Sequence, residues 1–389
     1  MSVQDSVRAG ICERLLEGVL KEQEAARRLK LSVRQVRRLK RRVRDEGPSG
    51  VIHRSRGQPS RRCTPETVRN EVGRLYRETY AGWNMVHFSE YLASRHQIRL
   101  SAEALRQLLV NEESRPRHRR RSRHRQWRER RRREGELVQM DTSIHAWLGE
   151  LGEAVVLISA VDDATSQILW AEFFEHNGVL ENLAVVRDLV AKYGLPASLY
   201  TDHHTIFFLC EEDALAAQER GEEGLTQFGR VMKRLGIEMI PAGSPQAKGR
   251  VERSYRTLQD RLLKELRLDG IRTRRAANRY LGSHFIPKYN RQFGVEPADP
   301  EAAWVDAGPI DEHDLFCLRD TRVVQNDATI SVQGQTWQLE GRVRSGQKVE
   351  LQTWLDHTVH VFKGDCEISH HPVHKARART GSRSAAAAC

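Results

Sequence analysis

Apolar positions recur at helical spacing through the first third of the chain, gather into short runs through the middle, and alternate with polar ones towards the end. Three kinds of structure follow. Between Lys21 and Glu46 a short periodic stretch, a turn at Lys30 and Leu31, and a second stretch carrying Val36, Leu39 and Val43 on one stripe predict a helix-turn-helix. Ser32 and Gln35 have the spacing of a capping box, which satisfies two orphan backbone donors and marks where the second helix starts. Arg34, Arg37, Arg38 and Arg41 crowd the rest of that cylinder, as a helix reading DNA requires, although a solvated basic helix has the same pattern. A second trihelical unit is expected from Thr64-Pro65 to about Tyr80, from Met85 to Arg95, and after a cap at Ser101.

From Glu136 the order becomes strand, strand, strand, helix, strand, helix, strand, helix. LVQMDTSI is the first strand; EAVVLISAV and QILWAEFF form a hairpin about DDATS; Leu180 to Tyr193 is a helix stopped by Gly194 and Pro196. ASLYTD and IEMIP are short strands with a helix near Gly229 to Leu235 between them. Ser244 and Pro245 open a long helix whose buried face is Val251, Tyr255, Leu258, Leu262 and Leu266. Alternation from about Asp314 to Val373 suggests a small β-barrel, and the tail KARARTGSRSAAAAC has the composition of a disordered segment. The expected organisation is a helix-turn-helix domain over residues 1–50, a second helical DNA-binding domain over 60–112, an Arg-rich linker over 113–135, an α/β core over 136–292, a small barrel over 310–373 and a tail over 374–389.

Charge then narrows the partner. Lys plus Arg total 64 against 52 Asp plus Glu, a net +12, so a polyanion is expected, with nucleic acid ahead of an anionic membrane. Residues 114 to 134 hold twelve arginines and two glutamates; as an arm lying along phosphates, Arg119, Arg120, Arg121 and Arg123 would grip DNA without reading bases. No apolar run has membrane-spanning length and no signal peptide is visible, so a cytosolic chain is expected. Six scattered cysteines with no C-x-x-C pair argue for reduced thiols.

Two predicted strands end in aspartate, Asp141 in QMDTS and Asp202 in YTDHH, and Glu252 lies at the start of the long helix. If the first and fourth strands are neighbours and the helix crosses their ends, three carboxylates converge. Such a cluster needs cations, and oxygen donors select magnesium or manganese over zinc. Other candidates have plainer readings beside the functional one. Asp162 and Asp163 suit a turn; His203 and His204 are a polar loop or zinc ligands; Lys248 either meets a phosphate or pairs with Glu252; Trp147 stacks on a base or packs in the core.

The segments DTSIHAWL, VDDATSQILWAEF, YGLPASLYTDHHTIF and above all QFGRVMKRLGIEMIPAGSPQAKGRVERSYRTLQDRL resemble the catalytic core of ISNCY-type insertion-sequence transposases, of the integrase-like DDE superfamily. The resemblance implies a ribonuclease-H-like core, with Asp141, Asp202 and Glu252 as the triad holding two Mg²⁺ ions, for which Mn²⁺ substitutes. It implies cleavage and joining of DNA at the element's terminal inverted repeats and at target DNA, by a homo-oligomer acting on the bacterial nucleoid. A DNA-binding regulator that has lost the chemistry is the alternative. One departure is the 49-residue gap before Glu252, longer than in compact integrases, whose excess is the Glu-rich stretch FLCEEDALAAQERGEEGLTQ.

Overall fold

A computed structural model describes residues 2–53, 55–57, 63–109, 129–149, 152–221, 223–242, 249–332 and 334–372. The chain divides into two compact units, residues 1–81 with 106–114, and 82–105 with 115–389.

The first unit opens with α1 (Val3–Leu16), α2 (Glu22–Leu29) and α3 (Val33–Glu46), followed by a 3₁₀ turn, Gly47–Val51. The Ser32–Gln35 capping box is present: Ser32 Oγ accepts the Gln35 amide at 3.3 Å, and Gln35 Oε1 accepts the Ser32 amide at 3.0 Å. Lys30 ends α2 in the left-handed region at φ 54°, which turns the chain into α3. Val36 packs with Leu15 and Ala25, and Val43 with Ala9 and Cys12, so α1 contributes to both of the small apolar clusters that α3 packs on. Helix α1 was not foreseen, because its buried stripe is made of small residues. Helix α4 (Glu66–Glu78) also belongs to this unit.

The three helices expected as one second DNA-binding unit are divided. Helix α5 (Met85–Arg95) belongs to the large unit and α4 to the small one, while α6 (Ala102–Leu109) spans the boundary. Helix α5 lies on a polar seat made by later helices. Glu90 takes two bonds from the Arg261 guanidinium at 2.7 and 3.1 Å, Arg95 pairs with Asp269 at 2.7 Å, and Asn84 bonds Asp260. At its centre the fully buried His87 donates from Nε2 to Glu265 at 2.8 Å, and Lys288 and Tyr280 reach the same carboxylate at 2.8 Å each. Burial opposes the charged carboxylate, but the bonds from His87 and Lys288 outweigh it and bring Glu265 from an ordinary 4.5 down to about 2. Burial likewise lowers the His87 imidazole, against the pull of Glu265, so the counter-charge is Lys288.

A depressed carboxylate stabilises the fold above its unfolded value and loses that contribution as pH falls through the folded one. Glu265→Gln is therefore expected to cost on the order of 3 kcal/mol at pH 7. Urea unfolding at a series of pH values should show the difference from wild type shrinking as pH falls below about 4.5. A difference that holds constant with pH would assign the loss to shape rather than charge.

The core of the large unit is a mixed five-stranded sheet in the order β3-β2-β1-β4-β5, formed by β1 (Val138–Ile144), β2 (Val156–Asp162), β3 (Ile168–Phe174), β4 (Ser198–Thr201) and β5 (Glu238–Pro241). The first three are antiparallel neighbours; β4 pairs parallel with both β1 and β5. One face carries α7 (Val179–Tyr193) and α9 (Gln227–Arg234), whose Leu183, Val186, Leu189, Phe228 and Met232 pack on Val138, Met140 and Ile158. The other carries α10 (Gly249–Leu268), α11 (Arg274–Tyr280), a π-helical turn (Leu281–Phe285) and α12 (Ile286–Phe293), with Leu258, Leu262 and Leu266 buried as the stripe predicted. The Glu-rich insertion holds a short helix, α8 (Glu211–Glu219), exposed over most of its length.

After α13 (Glu312–Leu315) come β6 (Leu318–Val323), β7 (Thr329–Val332), β8 (Gln335–Leu339), β9 (Lys348–Thr353), β10 (Val359–Lys363), β11 (Cys366–Ile368) and β12 (His370–Pro372). The expected barrel is not closed among the described residues: β11-β10-β9-β6 form one sheet and β12-β8-β7 another. The chain turns between sheets at Ala328, φ 58°, and at Ser369, so the ladders break where a barrel would continue. Val324, Ile330, Leu339, Val349, Leu351 and Val361 fill the space between the two sheets. The expected tail over 374–389 lies outside the described residues, and no described helix is long and apolar enough to cross a membrane.

Candidate active site

Strands β1 and β4 are parallel neighbours, and their register decides where the two aspartates stand. Val138 faces Leu199 and Gln139 faces Tyr200, a constant offset of 61 that puts Asp141 abreast of Asp202 when carried along the same direction. Neighbouring strands lie about 4.8 Å apart, so the two half-buried carboxylates stand side by side. Asp202 follows the end of β4 as expected, whereas Asp141 is midway along β1, which continues to Ile144 in its antiparallel pairing with β2. Asp202 accepts the His204 amide at 3.2 Å, which fixes the turn leaving β4. The Asp141 main chain is held by α10, since the Tyr255 hydroxyl donates to its carbonyl and accepts from Ser159 Oγ at 2.8 Å. Burial beside Asp141 drives the Tyr255 phenol well above its ordinary value, so it stays a donor.

Glu252 stands on α10 one turn before Tyr255, hence close to where that helix meets β1. Its side chain, and Lys248 altogether, lie outside the described residues. Among the described residues no group of three or more His, Cys, Asp or Glu is placed to hold a metal ion, so the described part of the expected triad is the Asp141–Asp202 pair.

Asp162, Asp163 and Trp147 resolve towards their plainer readings. Asp162 is fully buried and accepts Gly135 N–H at 2.9 Å and Thr165 N–H and O–H at 2.7 and 2.8 Å; Asp163 accepts from Arg131 N–H and Gln139. Both close the hairpin. Trp147 is a core residue, packed on Phe173, its indole N–H bonded to the Ser143 carbonyl at 3.1 Å. His203 and His204 are exposed. On α3, Arg34, Arg37, Arg38 and Arg41 are exposed as expected, but Arg37 is tied to Glu22 on α2 at 2.7 Å. Arg119, Arg120, Arg121 and Arg123 lie outside the described residues.

Tyr255 was read from the sequence only as one member of a buried stripe. A phenol in an otherwise aliphatic row was the available signal, since a buried hydroxyl must find a partner.

Residues 12–68 match the family model described as a winged helix-turn helix. Among the described residues a 3₁₀ turn, and no strand, stands between α3 and α4. The candidate transposase y4bF of Sinorhizobium fredii is 34% identical over 362 residues, covering 92% of this chain and 78% of that protein. The transposase for insertion sequence IS1202 of Streptococcus pneumoniae is 30% identical over 319 residues, covering 73% of this chain and 67% of that protein. The catalytic core domain of HTLV-2 integrase, solved with magnesium in a trimeric form, shares 17% identity over 39% of this chain and 88% of its own, with a TM-score of 0.27. A likeness that faint bears no weight.

Proposed function

Because this chain belongs to the family of transposases that contains those two relatives, we propose that it binds the terminal inverted repeats of an insertion sequence and cuts and joins DNA with a ribonuclease-H-like core of the DDE type. The observation that carries this reading is the alignment of Asp141, midway along β1, with Asp202, just past the end of the adjoining parallel strand β4, with α10, bearing Glu252, pinned against β1.

The donor set fits a divalent metal. Two like charges abreast repel each other, and carboxylate oxygens suit Mg²⁺ or Mn²⁺. Asp141, Asp202 and Glu252 would hold two such ions, which when bound supply Lewis-acid activation of the attacking oxygen and of the scissile phosphate. The chain's own contribution is placement. Strands β1 and β4 keep two carboxylates side by side, and Tyr255 fixes the helix on which Glu252, the proposed third, stands. The exposed guanidinium groups of α3 would read base edges, while the Arg-rich arm and Lys248 would hold phosphates.

The test uses purified protein and a labelled duplex joining the element's own inverted repeat to its flank. Retarded migration and cleavage at the junction in Mg²⁺ are expected. Replacing Arg34, Arg38 and Arg41 by Ala should cost preference for the repeat over unrelated DNA; replacing Arg119, Arg120, Arg121 and Arg123 should weaken both alike. Binding without cleavage under every divalent ion would leave the chain a regulator.

A further inference from the structure

Between residues 253 and 293 there are eleven Arg and Lys and only three carboxylates. All three are engaged within the fold: Asp260 by Lys264 at 2.5 Å, Glu265 by Lys288 at 2.8 Å, and Asp269 by Arg95 at 2.7 Å. The region is left with a surplus of cations that its own acids do not balance. Arg272, Arg275 and Arg279 are exposed and have no carboxylate partner among the described residues. Arg275 and Arg279, four apart, lie one above the other on the exposed face of α11, and Arg272 stands just before the helix, ahead of its N-cap Thr273. The helical pair spans about 6 Å at the helical rise.

Helix α11 is a rigid platform for that pair. From its inner face Asn278 clips the edge strand β3, accepting the Phe173 amide at 2.7 Å and donating to the Phe173 carbonyl at 3.0 Å, while Ala277 is fully buried. The strand register then places the pair. Phe174 pairs with Val156, and Val156 with Ile144, so this end of β3 lies three residues beyond the level of Asp141, on the side of the sheet where β4 ends and Asp202 follows. Two strand spacings, about 10 Å, separate β3 from β1.

We infer that Arg272, Arg275 and Arg279 form a phosphate-binding ridge that holds the backbone of duplex DNA at the catalytic end of the sheet. The inference rests on the proposal that this end acts on DNA. Guanidinium groups gathered on one exposed surface repel one another unless anions lie between them, and a duplex presents phosphates in file. Arginine matches phosphate oxygens in a two-pronged geometry that lysine lacks. Because the ridge meets phosphates rather than base edges, its grip is independent of sequence.

The test compares Arg275→Ser/Arg279→Ser with Arg342→Ser/Arg344→Ser in the full chain. The second pair removes the same charge from exposed positions in the connection between β8 and β9. Affinity for a 30-base-pair duplex of unrelated sequence is measured across a salt series in chelator, with thermal melting to verify the fold. The α11 variant should flatten the log–log salt dependence by roughly two, while the control shifts it by less than about half a unit. Equal effects in the two variants would reduce the ridge to net charge, and an unchanged slope in the α11 variant would overturn it. Since no cleavage is read, a failed ridge leaves the proposed chemistry standing, and failed chemistry leaves the ridge standing.

Discussion

Asp141→Asn, Asp202→Asn and Glu252→Gln should each reduce strand cleavage by at least about a hundredfold, while end binding stays within about twofold of wild type. The magnitude follows from removing one charge from the set proposed to hold cations against their hydration. The fold should tolerate each change. Asn at 202 keeps an oxygen for the His204 amide, and the anchor at 141 is a main-chain carbonyl that the substitution leaves alone. Binding is spared because α3, which carries the exposed arginines of the helix-turn-helix, lies in a separate compact unit. Both activities are read on one labelled repeat fragment. Any variant retaining more than a tenth of wild-type cleavage removes its residue from the triad.

Dialysis against chelator should abolish cleavage, and single ions added back should separate binding from chemistry. Mg²⁺ takes near-octahedral oxygen coordination at about 2.0–2.1 Å, whereas Ca²⁺ accepts more ligands at about 2.3–2.6 Å. A displacement on the order of 1 Å at reacting atoms costs about a hundredfold in rate. Mg²⁺ should restore cleavage, Mn²⁺ should substitute with looser target choice, and Ca²⁺ should support the protein–DNA complex without product. Full activity in chelator, or recovery with Zn²⁺ alone, would sink the carboxylate reading and turn attention to His203 and His204.

Local chemistry was legible along the chain and grouping was not. The Ser32 cap, the hairpin aspartates and the stripe of α10 each depend on neighbours within a turn or two, so their side chains announce them. The adjacency of β1 and β4 came from element order, and the register bears it out. The placement of α5 escaped notice because its partners, Asp260 to Gln292, lie far along the chain and are polar. A charged helix face reads as solvated until the opposite charges are known to meet it. The open C-terminal sheets escaped for a related reason: alternation predicts strands, whereas closure depends on corners such as Ala328, which carries no glycine to mark the turn. Tyr255 fell between the two cases, visible as buried yet silent about the carbonyl it would meet.

The seat of α5 also imposes an order of events during synthesis. His87 and Glu265 are 178 residues apart, so at roughly 5–20 residues per second α5 leaves the ribosome on the order of 10–40 s before its partner exists. Throughout that interval a histidine destined for complete burial, and the aromatic surface of Trp83 and Tyr91 stacked about it, have nothing to cover them. Any premature stop before residue 260 would make that exposure permanent, leaving a fragment that can still fold its helix-turn-helix but carries an uncovered adhesive helix beside it.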